Sequence, residues 1–255
     1  MCRRNMKLKE YFMIANKETL DNLEIQSIEA IKDFICDHFE DLRVDYDDEY
    51  RLICKAPLGA PMFSTKSENS GIPCDMIFLT STEYTYWCQV IYQFSHEITH
   101  CFIYAHNKFE EQKAMWLEES ICEAMAYYFL KYFADHWELC ELGKVNPNYQ
   151  IYIYEYLKKQ LNCEANQRLT RCENYKELME INESAQERRE DRRYEAICIF
   201  EKMTYKDILA LLKYKDYILH NEKILNITKY CASYDDNLVV QYLCSIQKQI
   251  LDVKI

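Results

Sequence analysis

Two histidines stand four residues apart in the segment QFSHEITHCF, residues 93–102, and a glutamate directly follows the first of them. In an α-helix, residues i and i+4 lie on one face a single turn apart, so the imidazoles of His96 and His100 can both reach one metal ion. Glu97 lies about 100° around the helix, where its carboxylate can reach a water molecule activated by the metal without becoming a ligand. This spacing predicts a zinc site with Glu97 as its catalytic base.

Two histidines do not complete a zinc site, so a third ligand is needed. Glu119 is the favoured candidate, because it precedes the strongly apolar segment 121–130, where a carboxylate is costly unless it is paired, protonated or bound to metal. Glu123 lies one turn later on the same face, and we expect it to accept a hydrogen bond from the second nitrogen of a liganding histidine. The other interpretation of these two acids is a pair on the helix surface. His106 is an alternative ligand only if the helix breaks, since an unbroken helix places it about 15 Å from His96.

The spacing of these residues resembles that of a known family. HEITH at residues 96–100 is followed by 18 residues, 101–118, and then by the glutamate of WLEES at residues 116–120. This pattern resembles the gluzincin branch of the zincin metallopeptidases, and within it the aminopeptidase N family, whose second motif is W-L-N-E-G. The resemblance implies a zincin-like fold and a Zn²⁺ cofactor, with His96, His100 and Glu119 as zinc ligands and Glu97 as general base.

The resemblance is partial and covers about residues 76–130. Glu118 stands where the family has asparagine, and Ser120 stands where it has glycine. The G-A-M-E-N segment with which aminopeptidases hold a free N-terminus is absent, so specificity for N-terminal residues is not supported. In such folds an edge strand before the active-site helix pairs with an extended peptide, and we expect MIFLT at residues 76–80 to fill that role.

The elements that must position these residues follow from the apolar periodicity. A helix is predicted over residues 18–39, and short strands are predicted in residues 41–55 and 76–80. The segment 56–74 between the strands holds three of the four prolines and two of the three glycines, which predicts a loop. Two longer helices, over about residues 82–106 and 110–137, carry the candidate ligands.

We therefore predict an α+β fold: a zincin-like small sheet within about residues 41–80 and an active-site helix, followed by a largely helical C-terminal half. Residues 1–137 would form the metallopeptidase core. Residues 138–255 would either belong to the same domain or form a helical appendage. The mixed-charge segment ESAQERREDRRYE, residues 183–195, is predicted to be a solvated helix face or a linker.

The composition limits the partners and the compartment. A net charge of −11 disfavours nucleic acid and anionic membranes as main partners, so neither is predicted. The 13 cysteines include no C-x-x-C pair, and no apolar run suits a signal peptide or a membrane span. We expect a cytoplasmic protein with reduced thiols, in which Cys88, Cys101 and Cys122 act as small core residues. No feature of the sequence indicates an oligomeric state.

These observations favour a zinc-dependent metallohydrolase, specifically a peptidase acting on a peptide or protein substrate. The residue that stabilises the tetrahedral intermediate is not singled out, since Tyr104, Tyr152, Tyr154 and Tyr194 are all candidates. The first alternative is a binding or regulatory protein that keeps a zincin scaffold without turnover. The second is a helical interaction protein in which HEITH occurs by chance.

Overall fold

A computed structural model describes residues 6–252 of the 255-residue chain, except for 43–48, 57–58, 69–70, 82, 110–111 and 220–221. Over these residues the fold is α+β, as predicted, with one four-stranded sheet and a majority of helix. The strands are β1, Phe12–Ile14; β2, Arg51–Lys55; β3, Met62–Ser64; and β4, Asp75–Leu79. The helices are α1, Asn22–Asp41; α2, Trp87–His106; α3, Met115–Asp135; α4, Glu141–Val145; α5, Gln150–Leu161; α6, Tyr175–Ser184; α7, Arg189–Lys202; α8, Ile208–Leu212; α9, Ile227–Ser233; and α10, Leu238–Asp252.

The sheet has the strand order β1-β2-β4-β3. Strands β1, β2 and β4 are parallel, whereas β3 runs antiparallel to β4, with Phe63 opposite Ile77. Because β2 and β3 flank β4, the expectation that MIFLT lies at the sheet edge was wrong. Strand β3 occupies that edge, and it lies within the segment 56–74 that was predicted to be a loop.

Helix α1 begins later than its periodicity suggests, because a capping box fixes its first turn. The side chain of Asp21 accepts a hydrogen bond from the backbone N–H of Glu24, and the Glu24 carboxylate accepts one from the backbone N–H of Asp21. One turn further on, the hydroxyl of Ser27 accepts a hydrogen bond of 2.9 Å from the indole of Trp87, the first residue of α2. Helix α1 therefore anchors the start of the helix that carries HEITH.

Helix α2 begins at Trp87 rather than near residue 82, and Thr80, which precedes it, is hydrogen-bonded to a side chain of the helix. The backbone N–H of Thr80 donates to the side-chain oxygen of Gln93, and the Gln93 amide donates back to the Thr80 hydroxyl at 3.1 Å. At its other end α2 runs unbroken to His106, as predicted. Helix α3 spans Met115–Asp135 and thus lies inside its predicted range.

The chain divides into two compact units, and helices α2 and α3 contribute residues to both. The first unit comprises residues 1–101 and 126–160 and contains the sheet, so the boundary predicted at residue 137 falls inside it. Its core includes an aromatic cluster of Trp87, Trp137 and Tyr149, with ring centroids 4.6–5.7 Å apart.

The second unit comprises residues 102–125 and 161–255, and its described residues form helices with connecting segments and one isolated β-bridge. The indole of Trp116 is buried there and donates a hydrogen bond of 2.9 Å to the carbonyl of Lys223. The hydroxyl of Tyr230, also buried, donates to the carbonyl of Ala210. None of the described helices combines the length and apolar character that a membrane crossing requires.

Candidate metal centre

The three residues singled out by spacing lie on one turn of α2. His96 and His100 are 7% and 8% exposed, and their rings pack edge to face with centroids 5.1 Å apart. Glu97, between them in sequence, is only 3% exposed. The structure therefore brings two imidazoles together on one helix face and keeps the adjacent carboxylate away from bulk water.

The surroundings of α2 explain why these polar residues are buried. Every residue from 90 to 103 is buried, so this segment contacts protein on all sides. Two small polar residues satisfy their hydroxyls within the helix: Ser95 donates to the carbonyl of Ile91, and Thr99 donates to the carbonyl of Ser95. Two imidazoles and a carboxylate in such a segment impose a desolvation cost unless hydrogen bonds, ion pairs or a metal ion offset it.

A third potential metal ligand lies close to the two histidines. One ligand atom from each of His96, His100 and Cys122 can be chosen so that all three lie within 4.8 Å of one another, and all three residues are buried. This group could hold a metal ion. Cys122 is a core residue, as predicted, but its proximity to the histidines was not foreseen. Its sequence signal is weak: a lone cysteine three residues after Glu119, nearly on the same face of α3.

The nature of the three side chains fits zinc. Imidazole nitrogen and thiolate sulfur are both preferred zinc ligands, and hard cations such as Mg²⁺ favour oxygen instead. Around a tetrahedral zinc the ligand atoms lie roughly 3.5 Å apart. A group whose atoms lie within 4.8 Å of one another needs a contraction of at most about 1.3 Å to reach that geometry.

Glu119 is buried and ion-paired. Its Oε2 lies 3.1 Å from an Nη of Arg192, whose side chain is only 10% exposed. The described residues do not place Glu119 within the histidine–cysteine group, and its role as a zinc ligand stays a prediction. To bind zinc, the Glu119 carboxylate would have to give up its ion pair with Arg192 or contact the metal and the guanidinium at the same time.

Glu123, one turn later on α3, is completely buried and is also held by an arginine. Nε and Nη2 of Arg189 donate three hydrogen bonds of 2.8–3.2 Å to its two carboxylate oxygens. Burial, together with the nearby Arg193 and Arg192, lowers the pKa of Arg189 to about 9. The predicted hydrogen bond from a liganding histidine to Glu123 stays a prediction.

The arginines come from the segment 183–195, which was expected to be solvated. That prediction was wrong for the residues of α7 that face inward: Asp191 and Glu195 are 3% and 1% exposed, and Arg192 is nearly buried. The charges are accommodated because acid and base meet across helices, as in the pair between Arg192 and Glu119. The mixed-charge sequence does not reveal these buried ion pairs, since a solvated helix shows the same alternation of positive and negative residues.

The third glutamate of α3, Glu118, also has partners in the second unit. It accepts a hydrogen bond from the hydroxyl of the fully buried Tyr214 and lies 3.8 Å from the ammonium of Lys113. Burial, and then the charge of Glu118, raise the pKa of Tyr214 well above its usual range. All three glutamates of this largely apolar helix are thus stabilised by specific polar partners.

His106 is not brought to the metal group. Because α2 is unbroken, His106 lies about 15 Å along the helix axis from His96. Its Nε2 instead lies 2.7 Å from a carboxylate oxygen of Asp216. Burial opposes ionisation of Asp216, but hydrogen bonds from His106 and Asn107 outweigh it and lower the pKa of that carboxyl.

Sequence similarity adds no assignment to this geometry. Comparisons of the chain with protein-family models, with curated proteins and with solved structures give no match.

Proposed function

We propose that the chain is a zinc-dependent hydrolase that cleaves peptide bonds, with His96 and His100 as zinc ligands and Glu97 as the base. The observation that carries the proposal is the turn of α2 on which two imidazoles and one carboxylate are buried together. A purely structural site has no need of a carboxylate directly after its first ligand. The partial resemblance to gluzincin peptidases supports the same chemistry.

We propose Cys122 as the third ligand in the arrangement seen here. Its thiol belongs to the group whose ligand atoms lie within 4.8 Å, whereas the carboxylate of Glu119 is paired with Arg192. Glu119 is the alternative ligand that the family resemblance implies. The described part of the chain offers three candidate ligands in this group. Three protein ligands are typical of catalytic zinc sites, which keep one position open, whereas structural sites have four.

The residues of the chain can be given roles that follow from their positions. When bound, zinc polarises a substrate carbonyl and lowers the pKa of a water molecule. Glu97 accepts a proton from the attacking water and passes it to the nitrogen of the leaving amine. Burial of His96, Glu97 and His100 limits access of bulk water, which strengthens every electrostatic interaction within the site.

The sheet offers a place for an extended substrate. Strand β3 is an edge of the described sheet, and Met62 at its start is 51% exposed. An extended peptide could add to this edge by backbone hydrogen bonds, the role first expected of residues 76–80. A peptide or protein substrate is therefore proposed over a small polar metabolite.

The decisive experiment compares the zinc-loaded wild type with Glu97→Gln on a peptide library. The variant keeps the shape of the side chain and removes its basicity, so we expect unchanged zinc content and a loss of activity of about 10²–10⁴-fold. Glu83→Gln, at an exposed glutamate just before α2, is the matched control and should retain activity.

Two outcomes would contradict the proposal. Equal activity of wild type and Glu97→Gln would remove Glu97 as the base. A wild type that binds zinc but cleaves nothing in the library would favour the alternative, a binding or regulatory protein with a silent metal centre.

A further inference from the structure

Two thiols meet between the last two helices of the second unit. Cys231 lies on α9 and Cys244 on α10, and the Sγ of Cys231 donates a hydrogen bond to the Sγ of Cys244 across 2.9 Å. Both cysteines are in the reduced form in this structure. The two helices are joined by residues 234–237 alone, so the chain between the thiols is short.

We propose that Cys231 and Cys244 form a reversible intramolecular disulfide, a modification site separate from the candidate metal centre. The two sulfurs need to approach by only about 0.9 Å to reach the length of an S–S bond. Helix α9, residues Ile227–Ser233, has two turns and ends just before the connecting turn, so a small shift at its C-terminus can close this gap.

A metal ion is the other ligand that paired thiols could take, and the surroundings do not favour it. Among the described residues, the group of three or more candidate ligands is the one formed by His96, His100 and Cys122. Two thiols without a third ligand do not satisfy zinc, which binds three or four protein groups. Covalent pairing is therefore the better assignment for Cys231 and Cys244.

The environments of the two thiols set the order of reaction. Cys231 is partly exposed, whereas Cys244 is 5% exposed and the pKa of its thiol is raised by burial and by the bond from Cys231. The thiolate of Cys231 attacks one sulfur of a low-molecular-weight disulfide such as oxidised glutathione, and one glutathione thiolate leaves. Cys244 then loses its proton and attacks the Sγ of Cys231, which releases the second glutathione. One S–S bond is broken and one is formed, and two electrons pass from the protein to glutathione.

The test exposes the purified full chain to oxidised glutathione, with intact mass and peptide mapping as readouts. We expect the wild type to lose two hydrogens through a link between the Cys231 and Cys244 peptides, and to regain them with a dithiol reductant. In Cys244→Ser, which lacks the resolving thiol, a glutathione adduct should accumulate on Cys231. In Cys231→Ser the buried Cys244 should stay unmodified.

Cys198→Ser removes another partly exposed thiol of the same unit and should form the link as the wild type does. The oxidised wild type should also unfold at a higher temperature than the reduced form, and this shift should vanish in Cys231→Ser. Peptide mapping of the wild type tests the link even if one of the variants does not fold. Glutathione adducts or links at other cysteines, with Cys231 and Cys244 unlinked, would overturn the proposal.

Discussion

The guanidinium of Arg189 forms a bidentate ion pair with the carboxylate of Glu123, a residue that is completely shielded from solvent. Removing the arginine would leave a buried carboxylate without its countercharge. We expect Arg189→Met to lower the free energy of unfolding by roughly 2–4 kcal/mol, less than for a wholly buried pair because the Arg189 side chain is 37% exposed. Urea unfolding measures this loss.

The exposed Arg171, with Arg171→Met, serves as the control for a general loss of positive charge. If the loss arises from the stranded carboxylate, the double variant Arg189→Met with Glu123→Gln should be more stable than Arg189→Met alone. Equal stability of Arg189→Met and Arg171→Met would show that the pair contributes nothing.

Substitution separates the two candidates for the third metal ligand. We expect Cys122→Ser to reduce zinc affinity by at least about 10-fold, because a serine hydroxyl is a much weaker ligand than a thiolate. Glu119→Gln should retain about one zinc per chain. Dialysis against buffered zinc, followed by elemental analysis, measures both. Loss of zinc in Glu119→Gln with retention in Cys122→Ser would instead identify Glu119 as the third ligand, as the gluzincin resemblance implies.

Cobalt substitution tests the same assignment without relying on affinity. A cobalt–thiolate bond gives a charge-transfer absorption in the near ultraviolet, which a site made of histidine and carboxylate lacks. The band should be present in the cobalt-loaded wild type and in Glu119→Gln, and absent in Cys122→Ser. A wild type that binds cobalt without this band would exclude Cys122 as a ligand.

Glu195 should make the stability of the chain depend on pH. Burial raises the pKa of its carboxyl from 4.5 to about 7, against hydrogen bonds from Thr170 that act in the opposite direction. Between these two pH values the folded state holds a proton that the unfolded chain has lost. The free energy of unfolding should therefore fall by about 3 kcal/mol as the pH rises through this window, and level off above it.

In the variant Glu195→Gln, residue 195 should no longer lower the free energy of unfolding as the pH rises. This variant should therefore be more stable than the wild type at about pH 8. Urea unfolding of the metal-free chain at about pH 5 and pH 8 gives the comparison. Glu201→Gln, at an exposed glutamate of the same helix, should follow the wild type. Parallel pH curves for Glu195→Gln and the wild type would refute a protonated Glu195.

Gly143 is predicted to tolerate no side chain. A Cβ at this position of α4 would lie 1.7 Å from the backbone carbonyl oxygen of Trp137, far inside van der Waals contact. Gly143→Ala must therefore displace α4 from the segment that carries the buried Trp137, and we expect a loss of about 3 kcal/mol or more. Thermal unfolding checks this against Lys144→Ala at the exposed neighbour. If Gly143→Ala unfolds at the same temperature as Lys144→Ala, the backbone can accommodate the extra methyl group at little cost in stability.

The parts of the site that follow from sequence are those set by one helix. His96, Glu97 and His100 share a turn of α2, and their relative positions depend only on helical periodicity. The choice between Glu119 and Cys122 could not be made in this way. Both lie within one turn of α3, and the side that faces the histidines depends on how that helix packs.

The remaining differences also arise from contacts that are distant in sequence. Arg189 pairs with a glutamate 66 residues earlier, and no local pattern encodes such a partner. The two shortest strands, Phe12–Ile14 and Met62–Ser64, have three residues each, too few for alternation to be recognised. The second of them acquires its structure from pairing with β4 in a segment whose prolines and glycines predict a loop.

The long-range pairing of α3 with α7 has a consequence for the newly made chain. A ribosome releases α3 well before it has synthesised residues 189–192, so the acids Glu119 and Glu123 emerge ahead of the arginines that hold them. Until α7 arrives, burial of those carboxylates is opposed by their charge, and helix α3 cannot settle into its final environment. Completion of the second unit is thus tied to the synthesis of α7, and a nascent chain that stalls before α7 should expose α3 to chaperones and proteases.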